Sequence, residues 1–236
     1  QILASRNVKL CLEREWEYII NNVNYGPVFE IALRVLKSIP SSPIVEKILR
    51  ELIVVAIAIA SSRVILRHDL FGRIYHMLLL GNLIKSYATL YTSIPAARLL
   101  ASLALLSAKY HGDLDVSTTP PKYNGEDIKV CDFACGSGTL LSAIYKELSV
   151  LHSLESADPD LNSLHKYLLE EGLWGFDILH HAAHLAATTL LFHNPQPVSG
   201  TRIYVLPFNE RCIGSLEFLA GNCAPLLTDL YGRVEL

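Results

Sequence analysis

The sequence predicts an α/β protein: a helical N-terminal domain followed by a parallel sheet flanked by helices. Three observations predict it. From Cys11 to about Leu83 the apolar residues recur at helical spacing. After "DLDVSTTPPKYNGED", Asp113 to Asp127, a stretch rich in Pro, Gly and Thr that reads as a loop, the texture changes to short apolar, β-branched runs. Those runs then alternate with helical stretches, strand–helix–strand–helix–strand, the signature of a parallel sheet with crossover helices. With 236 residues, 51% hydrophobic and only 18% charged, the chain is long enough to bury a core and too apolar to stay disordered.

Each element has its own reason. Pro43 opens a helix expected to run to about Arg67, and Glu46, Lys47, Arg50 and Glu51 mark its wetter first turns, which read as solvated faces. Within it, "LIVVAIAIA" is bounded by Glu51 and Arg63, well short of the roughly 20 residues a membrane helix needs. It reads as a buried helix, and no membrane is expected among the partners. "HDLFGRIYHMLLLGNLI", His68 to Ile84, reads as the next helix. "YATLYTSIPAARLLASLALLS" follows, with Ser93 placed as N-cap and Pro95 in the first turn. Then come the strand "IKVCDF", the helix "TLLSAIYKELSVLHSL" and the strand "LWGFDI". The helix "HHAAHLAATTLLFH" is stopped by Asn194 and Pro195, and "TRIYVLPF" is the third strand. The domains are therefore read as helical over residues 1–86 and sheet-forming over residues 87–236, and no period of 20 to 50 residues repeats.

Charge and cysteine usage narrow the setting. The net charge is −3 and no basic run stands out, so the chain lacks the footprint of a freestanding nucleic-acid binder. Five cysteines with no CxxC pair argue against a disulfide framework or a zinc site and fit a reducing cytoplasm. No signal peptide is legible, and because the chain opens on Gln1 its natural start is expected upstream.

The stretch that carries chemistry is "VCDFACGSGTLLSAI", Val130 to Ile144. Gly136 and Gly138 follow a strand ending near Asp132, where glycine permits positive φ and lets backbone approach a ligand. A dinucleotide fingerprint would need a third glycine where Leu141 stands, and no Walker loop is present. What remains, D-x-x-x-G-x-G, suits a ligand with an adenosine and no pyrophosphate. The same turn also serves simply to pack a helix tightly on a strand. Asp177, at the end of the next strand, offers a carboxylate to both ribose hydroxyls, or else caps the helix that follows. His180, His181 and His184 lack an HExxH pattern and a completing carboxylate or cysteine, so no metal is expected. Cys135 sits in the turn with no identifiable base and is not read as a nucleophile.

In the order of these parts the sequence resembles the S-adenosylmethionine-dependent DNA adenine-N6 methyltransferases, such as the modification subunits of type I restriction systems and fused restriction–modification enzymes. That family has a helical N-terminal domain, a segment like "GQFYTP", then "D-P-x-C-G-S-G-x-L", then a strand ending in an acidic residue. The matches here are "ATLYTSIPAARLLASLA", "VCDFACGSGTLL" and "LWGFDILHHAAHLAATTL", with Ser93 standing where the family usually has proline. The resemblance implies a partial Rossmann-like class I methyltransferase sheet, incomplete at its C-terminus, that binds S-adenosylmethionine. It would put Tyr91, Thr92 and their helix start at the methionine end of the cofactor. Asp132, Ala134, Gly136, Ser137 and Gly138 would line the methionine and sugar, Asp177 the ribose, and Ile178 the adenine. Ser215 and Leu216, in "IGSLEFL", resemble the segment after the third strand where the family contacts the adenine.

The family's Asn-Pro-Pro-aromatic loop, which accepts hydrogen bonds from the target amine and stacks on the flipped base, has no counterpart in these residues. The nearest string, "HNPQP" from His193, follows a helix and reads as a helix stop. The expectation is a cofactor-binding part that does not methylate alone, either the front of a longer protein or one completed by another chain. DNA would be reached through that fuller protein or partner subunit, with specificity and nuclease parts elsewhere. The alternatives are a non-catalytic interaction subunit, or a methyltransferase acting on RNA or protein.

Overall fold

A computed structural model describes residues 2–22, 26–61, 72, 74, 92–206, 208–209 and 212–213. The chain forms two compact units, residues 1–68 and 69–236. The predicted junction between residues 86 and 87 lies outside the described residues, as does the helix expected over His68 to Ile84, apart from Gly72 and Ile74, both helical.

The first unit contains helices α1 (Val8–Asn22), α2 (Gly26–Ser38) and α3 (Pro43–Ser61). Trp16 and Phe29 meet at 6.0 Å between ring centroids, and Lys37 pairs with Glu17 at 2.6 Å, joining α1 to α2. The start of α1 is held from α3. Glu46 accepts from the N–H of Val8 at 2.6 Å and of Lys9 at 3.4 Å, placing an anion on donors that a helix start leaves orphaned. Arg50 donates to the carbonyls of Leu3 and Ser5. The expectation that these charges form solvated faces is corrected for two of the four: Glu46 fastens α1, and Arg50 holds the residues just before it. The reading of "LIVVAIAIA" as a buried helix is corrected as well. No residue of α3 is buried, and Leu52, Val54 and Ile57 are each more than half exposed. A helix apolar around its circumference needs neighbours on every side, and among the described residues α1 and α2 do not supply them.

In the second unit, helix α4 spans Ile94–Tyr110. Proline stands in its first turn as expected, and Ser93 takes the N-cap position without its hydroxyl making a cap bond. Ala97 and Ala101 are buried against Leu140, Ala143 and Ile144 of α5 (Thr139–Glu155), small residues that let the two helices lie close. The stretch read as a loop from Asp113 contains a small antiparallel meander: β1 (Leu114–Asp115), β2 (Lys122–Tyr123) and β3 (Glu126–Asp127). Asn124 at φ 52° and Gly125 at φ 82° make the turn between β2 and β3, a backbone that Asn-Gly adopts readily. The loop reading is corrected to that extent.

The parallel sheet forms as expected, in the order β4 (Val130–Asp132), β5 (Leu173–Asp177), β6 (Arg202–Val205). Helices α5 and α6 (Leu161–Tyr167) lie between β4 and β5, and α7 (His180–Leu191) lies between β5 and β6. Register pairs Asp132 with Gly175 and Asp177 with Val205. Alternation then puts Gly175, Ile203 and Val205 on one face and Trp174, Phe176, Arg202 and Tyr204 on the other. On the first face the side chains close over Gly175: a Cβ there would meet Ile203 Cδ1 at 2.7 Å and Leu141 Cδ1 at 2.9 Å, so both tips would have to shift. Four alanines of α7, Ala182, Ala183, Ala186 and Ala187, are buried. On the second face the rings stack in a row, Phe133 on Phe176 at 5.7 Å and Phe176 on Tyr204 at 5.6 Å. A short hairpin, β7 (Phe208–Asn209) with β8 (Cys212–Ile213), follows. Among the described residues, no helix is long and apolar enough to cross a membrane.

Candidate cofactor site

The site is built where β4 and β5 end and α5 and α7 begin, the edge of a parallel sheet where ligands are commonly received. The chain leaves β4 at Asp132 and turns through Cys135 to Gly138. Gly138 N–H donates to Cys135 carbonyl at 2.8 Å, and Cys135 N–H donates to Phe176 carbonyl at 2.9 Å, which locks the turn against β5. Gly136 and Gly138 both have positive φ, 52° and 82°. Their reasons differ. A Cβ on Gly138 would meet the Cα and Cβ of Ala186 at 3.0 Å, so that glycine exists for the packing of α7. A Cβ on Gly136 would meet nothing within 4 Å, so it borders open space.

Asp177 bridges the two strand ends. Its Oδ2 accepts from Gly136 N–H at 2.9 Å and its Oδ1 from Leu179 N–H at 2.8 Å. The carboxylate therefore faces the glycine turn while also holding the start of α7. Each oxygen retains a second lone pair, which is what two vicinal hydroxyls require. Asp132 Oδ1 accepts from Ala134 N–H at 3.1 Å, whereas its Oδ2 is buried with no hydrogen-bond partner. Burial pushes the Asp132 carboxyl above the usual range, the Ala134 N–H opposes this, and the Asp177 charge adds to it. A buried acceptor without a donor is costly, and an ammonium or N–H from a ligand would satisfy it.

Ser137 and Gly138 are buried, Gly136 and Ile178 half-buried, and Ala134 and Thr92 exposed. The structure thus brings Asp132, Ala134, Gly136, Ser137, Gly138, Asp177 and Ile178 to one corner. Thr92 lies just ahead of α4, and Tyr91, Ser215 and Leu216 lie outside the described residues. Burial, then the charges of Asp177 and Asp132, raises the Cys135 thiol well above its ordinary value, which suits a packing residue and not a nucleophile. Among the described residues no cluster of three metal-ligating side chains occurs. His193, in the "HNPQP" string, turns back to α5: its Nε2 is 2.7 Å from Ser142 Oγ and its ring stacks on Tyr145 at 4.5 Å.

Sequence reasoning overlooked Gly175 and Phe133. A glycine inside a strand signals close approach, and Gly175 is where α5 and the turn come down on the sheet. The fold and site define an α/β protein with a three-stranded parallel sheet and a carboxylate-held glycine turn at its edge. Comparison with models of known protein families and with characterised proteins finds no match.

Proposed function

We propose that this chain is the cofactor-binding part of an S-adenosylmethionine-dependent methyltransferase, of the DNA adenine-N6 kind found in restriction–modification and related defence systems. The observation that carries the reading is the Gly136 N–H held by the Asp177 carboxylate across two adjacent parallel strands, beside open space. The Asp132, Gly136 and Asp177 set fits the three ends of such a cofactor. Asp177 accepts from the ribose hydroxyls, the bare backbone of Gly136 lets the sugar and thioether approach, and the orphaned Asp132 Oδ2 takes the α-ammonium. The bound group supplies a methyl on a sulfonium, an electrophile ready for transfer. The chain's own work is position: methyl transfer gains mainly from holding donor and acceptor in line. The adenine-N6 assignment, and DNA as the partner, rest on the family resemblance of the "CGSG" turn and its neighbours.

Calorimetry with S-adenosylmethionine and its demethylated product tests the reading. Saturable binding is expected, and Gly136→Ala, whose Cβ enters only the open space, should weaken it at least about tenfold. No heat at high micromolar protein would end the reading. A second reading, a non-catalytic interaction subunit, is favoured by α4, which buries Ala97 and Ala101 and leaves Leu99 at 62%, Leu103 at 59% and Tyr110 at 88% exposed. That reading expects a chain that associates with a partner and binds no adenosine ligand.

A further inference from the structure

A turn that leaves its backbone bare for a ligand cannot fasten its own helix. Gly138 is the N-cap of α5 and, having no side chain, closes none of the orphaned donors there. The fastening comes from three points along α7 and its flanks. Asp177, just before α7, accepts from Gly136 N–H, and Ala186 within α7 lies 3.0 Å from where a Cβ on Gly138 would stand. The third point is His193, just past the end of α7. Its Nε2 is 2.7 Å from the Oγ of Ser142, a buried residue whose own N–H donates to the Gly138 carbonyl at 2.8 Å. The His193 ring also lies flat on Tyr145, at 4.5 Å and 13°. The hydroxyl of Tyr145 is in turn 2.9 Å from His165 Nδ1 on α6. The "HNPQP" string therefore does more than end a helix.

We propose that His193 is a positioning residue for the glycine turn: its bond to Ser142 fixes the first turn of α5 and, through Gly138, the backbone on the open side of the site. What the turn receives rests on the cofactor reading above, whereas the bracing is a property of the free chain. Groups that meet a ligand need to be held to about 0.5 Å, and contacts from behind supply that rigidity. The two contacts of the imidazole are separable. Any flat ring can lie on Tyr145, but only a polar atom at the place of Nε2 reaches Ser142.

The test is amide hydrogen exchange on the full, ligand-free chain, read at Cys135, Gly136 and Gly138, whose N–H groups are all bonded. His193→Phe keeps a ring over Tyr145 and loses the bond. His193→Gln reaches the place of Nε2 with its amide, while His193→Asn is as polar and stops short of it. His193→Phe and His193→Asn should exchange about tenfold faster at the turn, and His193→Gln within about twofold of wild type. Amides of β6 should keep their wild-type rates in all three. Ser142→Ala added to His193→Phe should bring no further change, since both remove one bond. Calorimetry with S-adenosylhomocysteine should rank the variants in the same order, with a loss of about threefold to tenfold for His193→Phe and His193→Asn. Equal rates in His193→Gln and His193→Asn, faster exchange in β6 to the same extent as in the turn, or losses that add in the double variant overturn the assignment. Exchange in the expected order from a wild-type chain that binds no adenosine ligand leaves the bracing in place and removes the cofactor reading.

Discussion

The two glycines of the turn should respond to alanine by different amounts, and the structure says why. In Gly138→Ala the residue keeps φ near +82° and its new Cβ sits 3.0 Å from both the Cα and the Cβ of Ala186. The left-handed backbone costs about 1–2 kcal/mol for a residue with a side chain. Forcing a methyl against backbone in a packed seam costs roughly 1–3 kcal/mol more. The sum, roughly 2–5 kcal/mol, is a large part of the roughly 5–15 kcal/mol that holds a domain. In Gly136→Ala, at φ +52° with nothing within 4 Å, only the backbone cost applies, about 1–2 kcal/mol. The chain has two tryptophans, Trp16 in the first unit and Trp174 on β5, so in a Trp16→Phe background fluorescence reports the sheet alone. Urea unfolding followed at Trp174 should show Gly138→Ala destabilised beyond Gly136→Ala by roughly 1–3 kcal/mol. Equal losses would refute the division of the turn into a packing glycine and a ligand-facing one.

Two further outcomes follow from the buried polar groups. Burial lowers His165 to about 4 and His193 to about 3, against an ordinary 6.5. Both are held neutral in the fold, so the unfolded chain binds more protons below pH 6.5, and their stabilising effect is complete above that value and lost as pH falls toward 4. His165 alone should remove about 2 kcal/mol from the second unit between pH 7.5 and 5; urea midpoints that do not move over this range would show that these imidazoles are solvated. In the first unit, Glu46→Ala strips the acceptor from the N–H groups of Val8 and Lys9. It should cost about 0.5–2 kcal/mol there by thermal unfolding and leave ligand affinity in the second unit unchanged. A loss confined to the second unit would contradict the assignment of that contact.

Much of the second unit was legible because its elements carry their own period. The runs around Val130, Trp174 and Ile203 are apolar and β-branched or aromatic, α5 and α7 repeat at helical spacing, and Asn194-Pro195 ends α7 where expected. The meander was not legible, since strands of two residues show no alternation. Only the Asn124-Gly125 pair marked it. The role of Glu46 was hidden because its partners Val8 and Lys9 are far away in sequence, and local pattern carries no information at that range. In α4 both alanine and leucine count as apolar, so pattern alone cannot say that Ala97 and Ala101 are buried against α5 while Leu99 and Leu103 are exposed. At the site, residue types do not distinguish the duties within the corner that the turn and Asp177 share. Gly136 and Gly138 look alike in sequence and differ only by what stands opposite their missing Cβ. Asp177 was open to two readings, helix cap or ligand acceptor. Its bond to Leu179 N–H is a local turn bond that precedes α7, and its bond to Gly136 N–H turns the same carboxylate toward the turn.

The claim beneath the whole account is that Asp177 has lone pairs to give to a sugar diol. Affinities of wild-type protein for S-adenosylhomocysteine and for its 2′,3′-dideoxy analogue measure this directly. Two hydroxyls donating to one carboxylate should make the parent ligand about ten- to hundredfold tighter. Equal affinity for the two nucleosides would mean that Asp177 is occupied by Gly136 and Leu179 alone, and the site would be a packing corner.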